Sequence, residues 1–113
     1  MIAMRTLLLL LALAACGKKS ASDDRIASCH SEAMHACVEY RGANLAAGSD
    51  GLAELCTVVD SGAKFTATAC PTDKRIGACK RDEGTDVYYD GNPLGGAAEL
   101  EKMCIGKSGT WTK

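Results

Sequence analysis

The chain has 113 residues, and 13 Lys and Arg against 14 Asp and Glu give it a formal charge of -1. That length allows one domain, and that charge excludes the strongly basic face on which nucleic acid binding depends. One Trp, three Tyr and one Phe leave a core thin in large side chains, while seven Cys offer another way of holding a small fold together.

Residues 1–16 read MIAMRTLLLLLALAAC. Arg5 gives a charged start, Leu7 to Leu13 an apolar run, and Ala14 and Ala15 small residues ahead of Cys16, the layout of an export signal. Gly17, Lys18 and Lys19 end that run, well short of the roughly 20 apolar residues a spanning helix needs. Leu13-Ala14-Ala15-Cys16 resembles the lipobox of bacterial lipoproteins. The resemblance implies cleavage before Cys16, a diacylglyceryl thioether on its sulfur and an acylated amino group. The mature chain would be anchored in the envelope of a Gram-negative bacterium, and Gly17, where an inner-membrane lipoprotein tends to carry Asp, points to the outer membrane. Several acyl chains hold a protein firmly, at about 0.8 kcal/mol per buried methylene. The expected organisation is a signal peptide over 1–15, a lipidated tether over 16–25 and a disulfide-rich domain over 26–113.

Residues 17–24, GKKSASDD, have the small, polar composition of a tether. The spacing of Ile26, Cys29, Ala33, Ala36 and Cys37 predicts a helical face. Val38-Glu39-Tyr40 is then extended, and Arg41-Gly42 turns. Ser49-Asp50-Gly51 opens a helix whose apolar stripe is Leu52, Leu55, Cys56 and Val59, ended by Gly62. Ala63 to Ala69 predicts a strand, Pro71-Thr72-Asp73 a turn, and Ile76 to Lys80 a second strand. Residues 81–84, RDEG, form a hairpin turn into a third strand, Thr85 to Tyr89, which Asp90-Gly91-Asn92-Pro93 closes. Ala97, Leu100 and Cys104 share one side of a second helix with Gly106 as its stop, and Thr110-Trp111-Thr112 makes a last short strand.

These pieces form two half-repeats. Val38-Glu39-Tyr40-Arg41-Gly42 matches Val87-Tyr88-Tyr89-Asp90-Gly91, Ala53-Glu54-Leu55-Cys56 resembles Glu101-Lys102-Met103-Cys104, and Ser61-Gly62 before Phe65 resembles Ser108-Gly109 before Trp111. Each reads as cysteine, strand, turn, helix ending in cysteine, glycine turn, and a strand with one aromatic. A repeated unit that cannot bury its own face packs against its twin. The fold class expected is therefore α+β, with two strand-helix-strand half-repeats stapled by disulfides. In an oxidising compartment the six cysteines after Cys16 pair. Equivalence of the halves selects Cys29–Cys56 and Cys79–Cys104, leaving Cys37–Cys70.

The run from Cys37-Val-Glu-Tyr-Arg-Gly through Cys56, Ala69-Cys70-Pro71, Ile76-Gly77-Ala78-Cys79, Tyr88-Tyr89 and Cys104 to Ser108-Gly109-Thr110-Trp111 resembles a family of small cysteine-rich bacterial lipoproteins of the myxobacterial type. The resemblance covers nearly the whole mature chain and implies the anchor and the disulfide framework. It brings no catalytic residues. Phe65 stands where such proteins often have Trp.

The residues offer little other chemistry. His30 and His35 lie beside Cys29 and Cys37, but oxidised cysteines do not ligate zinc, so the two histidines read as surface residues. Asp82, Glu83, Asp86 and Asp90 read as a solvated hairpin ahead of a calcium loop. Gly95-Gly96 before the second helix is a weak anion-binding signal. Tyr88 and Tyr89 point to opposite faces of their strand, so one of them should be exposed as a contact point. No metal or cofactor is implied. The reading is a non-catalytic, lipid-anchored envelope module that binds a protein or polysaccharide, with no nucleic acid partner. The alternative is an inhibitor of an exported hydrolase, presenting the basic loop from Cys70 to Arg75.

Overall fold

The computed structural model describes residues 24–46 and 48–113. The export signal, Cys16 and all of the tether before Asp24 lie outside the described residues. Six strands, two α-helices and a short 3-10 helix follow in the order β1 (Ile26–Ser31), β2 (Ala36–Arg41), the 3-10 helix (Gly42–Leu45), α1 (Asp50–Val59), β3 (Lys64–Thr66), β4 (Arg75–Lys80), β5 (Thr85–Tyr89), α2 (Ala97–Gly106) and β6 (Thr110–Thr112). The α+β class is as expected, and each half is a ββαβ unit, one strand richer than the strand-helix-strand reading.

That extra strand corrects the first prediction in the chain. Residues 26–37 are not a helix but a strand and a turn leading into β2, with Ser31 facing Ala36 across the turn. The helix-like spacing arose because buried residues occur on both faces of β1, among them Ala27, Ser28 and Ser31, which erases the two-residue alternation of a half-buried strand. The turn carries no Gly, Pro or Asn to announce it. His35 instead takes the left-handed backbone with φ 49°, a conformation a non-glycine residue seldom adopts.

The strands form one antiparallel sheet in the order β3-β1-β2-β5-β4-β6. Each half contributes its third, first and second strands, and the halves meet where β2 pairs with β5. The order thus reads the same from either edge. Cross-strand partners share a face, so the register tells which residues lie together. Phe65 is opposite Cys29, Cys29 opposite Val38, Val38 opposite Asp86, Asp86 opposite Cys79, and Cys79 opposite Trp111. All six therefore lie on one face. The register also moves the half-repeat match by one residue. With Cys29 equivalent to Cys79, Val38 corresponds to Asp86 and Tyr40 to Tyr88, since Tyr40 faces Ala27 and Tyr88 faces Gly77.

Both helices cover this face, each fastened by a disulfide, Cys29–Cys56 for α1 and Cys79–Cys104 for α2. The opposite face carries Cys37, Val87, Ala78 and Tyr89, covered by the connection between β3 and β4 through the Cys37–Cys70 disulfide. All six described cysteines are therefore paired, in the connectivity that equivalence of the halves selects.

The two halves are packed unequally. In the second, Leu100, Cys79 and Cys104 are almost completely buried with Tyr88. Trp111 lies flat over Gly77, where an added Cβ would stand 2.1 Å from the indole, and stacks on Tyr88 with ring centroids 6.1 Å apart. In the first half the smaller Phe65 faces Cys29, and Ala27 stands at the place of Gly77. Cys56 is the only buried residue of α1, whereas α2 buries both Leu100 and Cys104.

Candidate functional site

Tyr88 and Tyr89 do point to opposite faces, but neither is exposed. Tyr88 is 7% and Tyr89 6% exposed. The sheet is covered on both sides, Tyr88 lying in the cluster with Leu100 under α2 and Tyr89 in the cluster with Cys70 under the β3–β4 connection. Tyr89 Oη donates a 2.7 Å hydrogen bond to the Pro71 carbonyl. Burial pushes the Tyr89 phenol up to about 12 and raises those of Tyr88 and Tyr40 as well. The expectation of an exposed tyrosine contact point is therefore corrected: both rings are core.

The other candidates have structural partners. Arg81 grips Asp86 with two hydrogen bonds, Nε to Oδ2 at 2.7 Å and Nη2 to Oδ1 at 2.8 Å, and reaches Glu83 at 2.8 Å. The Asp86 carboxylate in turn holds the guanidinium further above its usual range. Two of the four hairpin acids are thus committed to an internal cation. Before α2, the Gly96 N–H donates to Glu99 Oε1 at 2.9 Å, so the chain's own carboxylate takes the place an anion would fill at that helix start.

His30 and His35 are brought together on the face opposite the helices. His30 meets Tyr89 edge-on at 5.7 Å, and the ring of His35 lies against Gly91, within 3.1 Å of where a Cβ would stand. With Glu32, Asp73, Lys74 and Asp90 they line an open polar depression of about 490 Å³. Among the described residues no three His, Cys, Asp or Glu side chains are grouped so as to hold a metal ion. The loop from Cys70 to Arg75 borders the same depression. Arg75 N–H donates to the Thr72 carbonyl, and Lys74 has φ 60°. That loop is a closed turn anchored by its disulfide and by Tyr89, with no extended segment at Lys74.

The feature sequence reasoning missed is on the helix face of the first half. A groove of about 320 Å³ runs between α1 and β2, lined by Met34, Ala36, Val38, Tyr40, Leu55 and Val59 together with the Cys29–Cys56 disulfide. Asp60 is the one charged side chain in that lining. Leu55, Val58 and Val59 on α1 are 57%, 78% and 77% exposed. The sequence signal was present in the i, i+3, i+4, i+7 stripe of Leu52, Leu55, Cys56 and Val59. That stripe predicts a buried face, but only Cys56 is buried. Asp60 is fixed at the groove end, accepting from Ser31 Oγ at 2.6 Å and from the Gly62 N–H at 3.1 Å. The Ser31 hydrogen bond, then that of Gly62, holds its carboxyl below the usual range.

Comparison with family models, with curated proteins and with solved structures gives no match.

Proposed function

We propose that the chain is a lipid-anchored module of the Gram-negative envelope, processed and acylated at Cys16, which holds a non-catalytic binding domain off the membrane. The observation that carries this reading is the pairing of cysteines. Cys29, Cys37, Cys56, Cys70, Cys79 and Cys104 bond among themselves, which leaves Cys16, directly after an apolar run and two alanines, for other chemistry. Three disulfides fit an exported, oxidised domain. A non-catalytic role is supported by the titratable groups whose behaviour is shifted. The three tyrosines are buried, Arg81 is clamped to the hairpin acids, and Asp60 is held by Ser31. Each shift has a folding cause and none converges on an open reactive centre.

The test is intact mass of the protein extracted from its native envelope, with partition between detergent and water. The expected result is loss of residues 1–15, gain of a diacylglyceryl group and an acyl chain at Cys16, and recovery in the detergent phase. A Cys16→Ala variant should stay unprocessed. Recovery of the unmodified precursor, or unchanged processing of that variant, overturns the reading.

A further inference from the structure

We infer that the groove between α1 and β2 is a docking site for a cationic amphipathic helix of another protein. Such a helix would be the partner of the proposed binding module, and this rests on that reading but not on the anchor at Cys16. Three observations carry it.

The first is the surface itself. The walls are apolar, formed by Leu55 and Val59 on one side and Met34, Ala36, Val38 and Tyr40 on the floor and far side. Singly exposed apolar residues are ordinary, whereas a contiguous apolar groove marks an interaction surface. The second is the contrast with the other half. At the equivalent place α2 sinks Leu100 onto the sheet and Trp111 covers Tyr88. The fold can fill this space, and in the first half it leaves it open.

The third is charge, which selects the occupant. Residues 42–63, spanning the 3-10 helix and α1, contain Asp50, Glu54 and Asp60 and no Lys or Arg. Asp50 and Glu54 are exposed on α1, and Asp60 lines the groove. A second copy docking α1 against α1 would set these three acids against themselves. An anionic membrane surface would meet the same repulsion. A helix with leucine-like residues at i, i+3, i+4 and i+7 and Lys or Arg on its flanks satisfies both the groove and the acids.

The experiment uses the full chain carrying Cys16→Ser, with the six remaining cysteines oxidised, so that no lipid competes. The probe is a rhodamine-labelled synthetic peptide of leucine and lysine, amphipathic and about four turns long, titrated by fluorescence anisotropy. Saturable binding is expected. The double variant Leu55→Asp, Val59→Asp should weaken it by at least about tenfold, a change of about 1.4 kcal/mol, with an unaltered circular dichroism spectrum. These substitutions add negative charge, so a purely electrostatic attraction would strengthen, and the sign of the change identifies the groove. Met103→Asp on α2 adds the same kind of charge elsewhere and should not weaken binding. Undiminished binding by the double variant, no binding at all, or a dimer in sedimentation equilibrium that the double variant dissociates, overturns the inference. Lipidation at Cys16, read separately by mass, stands or falls independently of all these outcomes.

Discussion

Removing the Cys29–Cys56 disulfide should release α1 while the rest of the fold persists. The bridge spans 27 residues and its counterpart Cys79–Cys104 spans 25, so chain entropy assigns each about 3.5 kcal/mol. On that measure the two are interchangeable. The packing beneath them is not. Take Cys56 from α1 and no buried residue of that helix remains, whereas α2 without Cys104 retains Leu100, which is 1% exposed. A ten-residue helix without tertiary support is below the length at which helices persist in water, about 12–15 residues. In the double variant Cys29→Ala, Cys56→Ala, native-state hydrogen exchange should show α1 amides losing nearly all protection, with β4, β5 and α2 still protected. In Cys79→Ala, Cys104→Ala, α2 should stay protected, and the global loss should exceed the entropic figure because both sulfurs are buried. Wild-type protection of α1 in the first variant would refute the claim that one covalent bond holds that helix.

The same asymmetry predicts that Leu100→Ala costs about 3 kcal/mol in denaturant unfolding while Leu55→Ala stays within about 0.5 kcal/mol. Gly109→Ala should cost about 1–3 kcal/mol by thermal unfolding, since its Cβ would stand 2.4 Å from Cys79 Sγ and 2.9 Å from Cys104 Sγ. For Tyr89 the folded phenol titrates above the ordinary value of 10.0, at about 12. The neutral form is thus favoured by the fold, stability is fully present below pH 10 and is lost as pH rises towards 12, and denaturation midpoints should fall over that window as tyrosinate absorbance appears. Ser31→Ala removes the strongest hydrogen bond to Asp60, so the Asp60 carboxyl should titrate closer to its ordinary range when followed by NMR.

Much of the framework could be read from the residues because it is encoded locally and then repeated. Strands β5 and β6 have the bounds their β-formers and turns imply, and α2 begins and ends where Ala97 and Gly106 place it. The cysteine pairing was legible only through the repeat, since no single spacing distinguishes one partner from another. Two things were not legible, and both depend on what lies on the far side of a strand. For β1, burial on both faces imitated helical spacing, and the turn after it is made by a strained His35 in place of a glycine. For Tyr88 and Tyr89, alternation gives the direction of each ring but not what covers it, and here helix α2 covers one and the Cys70 connection the other. The groove was hidden for the converse reason. An apolar stripe on a helix ordinarily reports burial, and nothing local to α1 tells that Phe65 and Ala27 leave it unfilled where Trp111 and Gly77 do not.

The third disulfide has a consequence for how two chains can combine. Two similar halves meeting at a β2–β5 seam are in principle exchangeable between molecules, each chain lending one half to the other's sheet. Such a swap needs slack in the segment that joins the halves. Cys70 is bonded to Cys37 in the middle of the sheet, and only residues 71–74 separate it from the start of β4, a reach of about 14 Å even at full stretch. With that bond closed the second half must be laid down beside the first half of its own chain. Reduction of Cys37–Cys70 would free that leash and open the route to intertwined dimers.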